Sequence, residues 1–133
     1  MRIIEINDIP ALRGQVDVAR MLIERGADAT AQNNEGETPL HLALHKREVD
    51  VARMLIERGA DVTAQNNGGK TPLHLASQMG RVDAARMLIE HGADATAQDN
   101  YGWTPLHFAS HIWIQNVAQR TLVSPLKRLS FPY

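Results

Sequence analysis

Three histidines with identical surroundings are the residues of this chain best suited to chemistry. His41, His74 and His107 each follow the letters TPL, and each lies 33 residues from the next. A histidine side chain can bind a metal ion or act as a general base near neutral pH. The sequence has no cysteine, which excludes a thiolate zinc site, a cysteine nucleophile and a disulfide scaffold. The case for metal or acid–base chemistry therefore depends on the histidines.

The regular spacing of the histidines argues against both kinds of chemistry. Equivalent residues in stacked helical units lie about 8–10 Å apart, whereas histidines that share one zinc ion must each come within about 2.1 Å of it. Ser110, three residues after His107, is a possible nucleophile, but Ser77 repeats it one unit earlier. No third catalytic group or oxyanion signal accompanies the pair. We therefore predict no metal site, no cofactor and no enzymatic activity.

The histidines belong to a repeat that covers most of the chain. TPLHLA stands at 38–43 and at 71–76, and TPLHFA stands at 104–109. Residues 37–69 match residues 70–102 at 22 of 33 positions. The repeat period is therefore 33 residues, and repetition of this kind is typical of proteins built from stacked units.

Each unit predicts two short helices followed by a turn. Thr38 is suited to the N-cap of the first helix, where its hydroxyl can accept from the amide of His41, and the proline that follows needs no amide hydrogen. In the second helix, VDVARMLIERG at 49–59, the apolar residues fall on one face. Gly59 then stands where a left-handed residue commonly ends a helix, and ADVTAQNNGG supplies turn-forming residues.

The 33-residue period, the TPLHLA motif, the second helix ending in LIERGAD and the polar turn resemble the ankyrin repeat. The resemblance covers residues 14 to about 111. It implies an all-α solenoid of stacked helix-turn-helix units with β-turn fingers, in which neighbouring units bury each other's apolar faces. It also implies that each histidine ring bonds the threonine hydroxyl of its own TPLH motif and the backbone of the adjacent turn. The structural residues expected on this basis are Thr38, His41, Thr71, His74, Thr104 and His107.

The repeat divides the chain into five segments. We expect an N-terminal capping unit at 1–36, full units at 37–69 and 70–102, a divergent C-terminal capping unit at 103–124 and a tail at 125–133. In the first unit, Pro10 falls inside the position of the first helix and must shorten it. We predict a brief turn there, capped by Asp8 and ending at Arg13, followed by an intact second helix at 14–30.

The C-terminal unit departs from the repeat after its TPLHFA motif. Trp113 replaces the glycine found at Gly80, and the following residues lose register with the second helix. An apolar stripe shifted by one residue remains at Ile114, Val117, Ala118, Thr121 and Leu122. We expect a helix there to cover the last unit. The basic and apolar tail SPLKRLSFPY packs back on the stack, binds a partner or has no fixed structure.

Positions that differ between the units predict a binding surface. Seven of the 11 mismatches between 37–69 and 70–102 lie at the turn tip, before the threonine and at the end of the first helix. In ankyrin-like folds these positions form the concave surface. The partner-binding residues expected are Glu35, Glu37, His45, Lys46, Lys70, Gln78, Met79, Tyr101, Trp103, His111 and Ile112. Two alternatives remain: exposed positions also vary by drift, and the aromatic residues of the last unit could pack beneath the tail.

Charge and length limit the possible partners. The formal net charge is −1, so the chain has no overall attraction for nucleic acid or anionic lipid. It has no apolar run of the roughly 18 residues that a membrane span needs. Charged residues at Glu5, Asp8 and Arg13 interrupt any signal-peptide core. We expect no nucleic-acid, membrane or small-molecule partner and a cytoplasmic location, while the nucleus or a host cell that receives the secreted protein stays open.

The predicted function is non-catalytic binding of another protein through the concave surface of fingers and first helices. One alternative is a regulatory or targeting fragment of a larger enzyme or effector protein. Another is an engineered repeat scaffold, since the units are nearly identical. Arg47 and Trp113 in place of the repeat glycine, and Pro10 in the first helix position, are departures that a consensus design would avoid.

Overall fold

The computed structural model describes residues 10–45 and 49–111, which form six helices and no strands. The predicted all-α class is confirmed. The helices are α1 (Pro10–Glu24), α2 (Pro39–His45), α3 (Val49–Glu57), α4 (Pro72–Gln78), α5 (Val82–Glu90) and α6 (residues 105–111). We call α2, α4 and α6, which carry the TPLH motifs, the inner helices, and α1, α3 and α5 the outer helices.

Adjacent units stack in a line. Inner helix α2 packs against α4, and outer helix α3 packs between α1 and α5. Inner helices α2 and α4 also pack against the outer helices of their own units, α3 and α5. Their shared core repeats the same positions, so that Leu40 and Leu73 of the inner helices and Leu55 and Leu88 of the outer helices are all buried. The solenoid predicted from the 33-residue period is confirmed.

Local signals begin and end the helices as the sequence predicts. Thr71 is the N-cap of α4, and its side chain accepts from the amide of His74 while Pro72 takes the first helical position. At the end of α3, Gly59 has φ 92° and the next amide, that of Ala60, donates to the Leu55 carbonyl at 2.9 Å. This left-handed residue ends the helix and satisfies one of its terminal carbonyls.

The first helix differs from the prediction. Helix α1 runs without interruption from Pro10 to Glu24, so the predicted brief turn ending at Arg13 and separate following helix are wrong. Pro10 begins this helix instead of interrupting one, and at a first helical position its missing amide hydrogen costs nothing. Gly14 lies inside the helix, where glycine costs only about 1 kcal/mol, and Val16 of the same helix is buried in the core. Asp8, the predicted cap, lies outside the described residues.

Four other predictions concern residues that the structure does not describe. These are the partner-binding role of Lys46, the same role for Ile112, the helix expected at 114–122 and the tail at 125–133.

Candidate functional site

The histidine of each full unit joins its own helix start to the next unit. The amide of Thr71 donates to Nδ1 of His74 at 3.0 Å, and the Thr71 hydroxyl lies 2.9 Å from the same nitrogen. On the other side of the ring, Nε2 of His74 lies 2.8 Å from the carbonyl oxygen of Trp103. A nitrogen that accepts from an amide must carry a lone pair, so we assign the ring as neutral with its hydrogen on Nε2, donated to the carbonyl.

His41 has the same arrangement one unit earlier. Its Nδ1 accepts from the Thr38 amide at 3.1 Å, and its Nε2 lies 2.9 Å from the Lys70 carbonyl oxygen. The residue is fully buried, and this loss of hydration lowers the pKa of His41 below its ordinary value of 6.5. Both ring nitrogens are engaged, so neither is available to a metal ion or a substrate.

Within the described residues, the third histidine has only the first half of this arrangement. The Thr104 amide donates to Nδ1 of His107 at 3.0 Å, and the hydroxyl lies 2.8 Å away. His107 is exposed, in contrast to His41 and His74. Among residues 10–45 and 49–111, no group of three or more histidine, aspartate or glutamate side chains is arranged to hold a metal ion.

Three fingers, at residues 33–37, 66–70 and 99–103, connect consecutive units. In the middle finger, Oδ1 of Asn66 accepts the amides of Gly68 and Lys70, each at 3.0 Å, and the Asn66 amide donates to the Lys70 carbonyl at 3.0 Å. Asn33 and Asp99 make the same three bonds in the other fingers. These bonds fix the backbone at the tip and at the residue before each threonine.

Neighbouring fingers are also bonded to each other. The Asn67 amide donates to the Glu35 carbonyl and the Asn100 amide to the Gly68 carbonyl, both at 3.0 Å. Gly69 has φ 78°, and a Cβ atom there would lie 2.8 Å from the Asn100 nitrogen. The fingers therefore approach so closely that the position requires glycine on grounds of both conformation and space.

A groove of about 480 Å³ lies where the second and third fingers meet helices α4 and α6. We call it the finger groove, and it is lined by Lys70, Gln78, Asp99, Tyr101, Trp103, Phe108 and His111. Five of these are residues that the sequence predicts to bind a partner. Of the other predicted residues, Glu35 and Glu37 lie on the first finger, and His45 and Met79 are exposed at the inner-helix ends without lining the groove.

The aromatic residues of the groove have different environments. Tyr101 is 87% exposed at the tip of the third finger. Trp103 is half-buried, with its ring centroid 5.0 Å from that of Phe108 and 5.3 Å from that of His111. The Lys70 ammonium lies 4.9 Å from the centre of the Phe108 ring, within reach of a cation–π interaction. The groove thus has an apolar floor, a cation on one wall and an exposed phenol at its edge.

Two residues of the groove are missing from the sequence prediction. Phe108 occupies the position of Leu42 and Leu75, and the single change from TPLHLA to TPLHFA is the signal that could have found it. Asp99 stands where the other fingers have asparagine. Both lie in positions of the repeated framework, whereas the prediction rests on the variable tips and helix ends.

The outer helices carry a second, smaller groove of about 320 Å³ on α3 and α5. Its lining alternates in charge, with Arg53, Glu57, Asp83, Arg86 and Glu90 among the residues that form it. Without exposed aromatic residues, this surface has the composition of an ordinary solvated helix face. It provides matched control positions for tests of the finger groove.

The linear stack, the bonded fingers and the capped inner helices define a helical repeat solenoid. The family model described as "Ankyrin repeats (many copies)" matches residues 22–76 and 55–109, which together span about two thirds of the chain. The protein belongs to the ankyrin repeat family. Ankyrin repeats are generally protein–protein interaction modules, and the family is generally non-enzymatic. No curated protein matches the sequence.

Within residues 10–45 and 49–111, no helix is both long and apolar enough to cross a membrane.

Proposed function

We propose that this protein is a non-catalytic module that binds another protein through its fingers and inner helices. The observation that carries the proposal is the finger groove, where five side chains that vary between the units line one cavity. The surrounding framework is nearly invariant in sequence and closely hydrogen-bonded. A constant framework that presents a variable surface is suited to selective binding.

The backbone of this surface is fixed before any partner arrives. The residue before each threonine is held within its own finger, and the carbonyls of Lys70 and Trp103 also accept from a histidine of the previous unit. Binding to such a surface loses little conformational entropy, so more of the contact energy contributes to affinity. Tyr101 adds an exposed aromatic ring, and tyrosine and tryptophan are enriched among the residues that dominate interface energetics.

The finger surface also favours a protein over other partners. It combines carboxylates on the first finger, one lysine on the second and aromatic rings on the third. A nucleic-acid surface would need a continuous basic stripe, and the described fingers and inner helices carry only Lys70 as a lysine or arginine. Interface cores are enriched in aromatic residues and depleted in lysine and glutamate. The third finger therefore contributes the centre of the proposed interface.

Site-specific photocrosslinking tests the proposal. A photoreactive phenylalanine replaces Tyr101 in one variant and Arg53, exposed on outer helix α3, in a matched control. In a cell lysate we expect a discrete crosslinked species from position 101 and none from position 53. Excess unmodified protein should suppress that species, and excess Lys70→Glu protein should suppress it less. Equal crosslinking from both positions, or none from position 101, would contradict the proposal.

A further inference from the structure

The residue before each threonine changes its chemistry from finger to finger. Glu37, Lys70 and Trp103 occupy this position in turn, and each amide is bound by the first residue of its own finger. The three side chains therefore leave equivalent backbone positions on consecutive fingers. Along the stack they present an acid, a base and an apolar ring in a fixed order.

The middle position presents a cation without a described carboxylate partner. Lys70 is half-buried, and its ammonium lies over the Phe108 ring. Asp99 lines the same groove, but it is 7% exposed and its Oδ1 accepts the amides of Tyr101 and Trp103, each at 2.9 Å. Lys70 is therefore the charged group of the groove that an incoming ligand can contact directly. A second cation at the Phe108 face would be repelled, whereas a carboxylate would be attracted.

The first and third of these positions, Glu37 and Trp103, favour different groups of a ligand. Glu37 lies beside the exposed Glu35, and its Oε1 accepts from the Asn33 side chain at 3.2 Å, which leaves its other oxygen for a basic group. Trp103 and Phe108 form the apolar floor, with ring centroids 5.0 Å apart. An aliphatic or aromatic side chain of a partner would bury apolar surface there.

The spacing of the fingers selects the spacing of the ligand groups. Stacked helices lie about 8–10 Å apart. A chain in the polyproline II conformation advances about 3.1 Å per residue with three residues per turn, so its every third side chain lies on the same side, about 9 Å from the last. Every third side chain of such a segment would therefore meet the next finger.

We propose that the finger groove and the first finger beside it bind a protein segment in the polyproline II conformation, with a basic, an acidic and an apolar residue three positions apart, read in either chain direction. The basic residue meets Glu37, the acidic residue meets Lys70, and the apolar residue packs on Trp103 and Phe108. This inference rests on the proposed function and specifies the partner. It differs from a general claim of protein binding because the charge of one residue, Lys70, sets the charge of the ligand.

Peptide selection tests the charge rule without a known partner. Random 12-residue peptides on phage are selected in parallel on the whole chain, on Lys70→Glu and on Arg53→Glu. The two variants make the same charge change on opposite faces of the stack. We expect wild type and Arg53→Glu to enrich Asp or Glu three residues from a Phe, Leu or Trp. Lys70→Glu should enrich Lys or Arg at that place.

A pair of synthetic peptides measures how much the charge at residue 70 changes the affinity. The first is a fluorescein-labelled nine-residue peptide with Arg, Glu and Phe at positions 2, 5 and 8 in a serine and glycine background, and the second has Lys at position 5. Fluorescence anisotropy should show that Lys70→Glu weakens the Glu peptide by about tenfold and strengthens the Lys peptide, because one contact changes from attraction to repulsion. Arg53→Glu should change neither affinity by more than about twofold. Thermal melts of the two variants establish that both remain folded.

The outcomes separate this inference from the proposed function. Peptides that lose binding in a Tyr101→Ser variant but show no preference for an acidic residue would overturn the charge rule and support the finger surface as a binding site. An unchanged consensus on Lys70→Glu would also overturn the rule. A selection that yields no peptide sensitive to Tyr101→Ser or Lys70→Glu would contradict both proposals.

Discussion

Replacement of His74 by alanine should destabilise the protein far more than the same replacement of His107. Both residues occupy the same place in a TPLH motif, and both accept a threonine amide at 3.0 Å. His74 is fully buried and bonded through Nε2 to the next unit, where the Trp103 carbonyl lies 2.8 Å away. His107 is exposed and has no such bond within the described residues. The comparison therefore sets the buried ring and its link between units against the local cap alone.

The expected loss of stability follows from the polar groups that lose the His74 ring as a partner. Removal of His74 leaves the Thr71 amide and the Trp103 carbonyl without this partner, and a buried polar group that loses its partner costs about 1–3 kcal/mol. Loss of the buried ring adds a cavity cost. We expect His74→Ala to lower the free energy of unfolding by about 3–5 kcal/mol. His107→Ala should cost less than about 1 kcal/mol, because the bond between this ring and Thr104 is exposed and water can replace the ring there.

A third variant separates the two ends of the ring. Glutamine at the third position of a helix can bond back to the N-cap amide, so His74→Gln retains the bond to Thr71 and loses the one to Trp103. Its cost should lie between those of the two alanine variants. Urea unfolding followed by circular dichroism at 222 nm gives all three values. Equal losses for His74→Ala and His107→Ala would refute the reasoning, since the link between units would then contribute nothing measurable.

Three further predictions follow from the same framework. Gly69→Ala should lower the free energy of unfolding by about 2–3 kcal/mol and Gly102→Ala by about 1 kcal/mol. Both residues have positive φ, but of the two only a Cβ at Gly69 meets the next finger. Equal losses for the two variants in urea unfolding would mean that this contact is unimportant. His41, whose pKa is lowered by burial, binds its proton more readily in the unfolded chain, so the free energy of unfolding should fall as pH falls below about 6.5, by at most about 1.4 kcal/mol per pH unit. The fall should be shallower in His41→Gln, and an identical pH profile for the two proteins would contradict it. Tyr101→Ser should leave the free energy of unfolding within about 0.5 kcal/mol of wild type while it weakens partner binding, and a large loss of stability would mean that the exposed ring is part of the core.

The error at the start of the chain shows where sequence patterns fail. The repeat places Pro10 in line with Ala43, in the interior of an inner helix. The same residue can equally begin a helix, and α1 begins there and continues through the position of the missing turn. A proline has no amide hydrogen, so it either interrupts a helix or stands at its first position. The residue type alone does not distinguish these two cases.

The finger groove shows a second limit of prediction from the sequence. The sequence places both Tyr101 and Trp103 among the expected partner-binding residues without distinguishing their environments. In the structure Trp103 is half-buried against Phe108, while Tyr101 is 87% exposed. Phe108 itself looks like a framework residue because it lies inside a repeated motif. Residues from one finger, the next finger and two helices meet in the groove, and their proximity depends on how the units stack.

The sequence by itself determined the period, the helix boundaries inside the two full units and the bond of each histidine ring to its own threonine. These features depend on short-range signals: a threonine cap, a proline at the first helical position and a glycine at positive φ act within a few residues of themselves. The tertiary structure alone decided which copy of an identical residue is buried. Leu73 is 3% exposed and Leu106, in the same motif, is 72% exposed. Leu73 is part of the core that neighbouring units share, and a repeated motif does not encode which of its copies joins that core, because burial depends on contacts with other units.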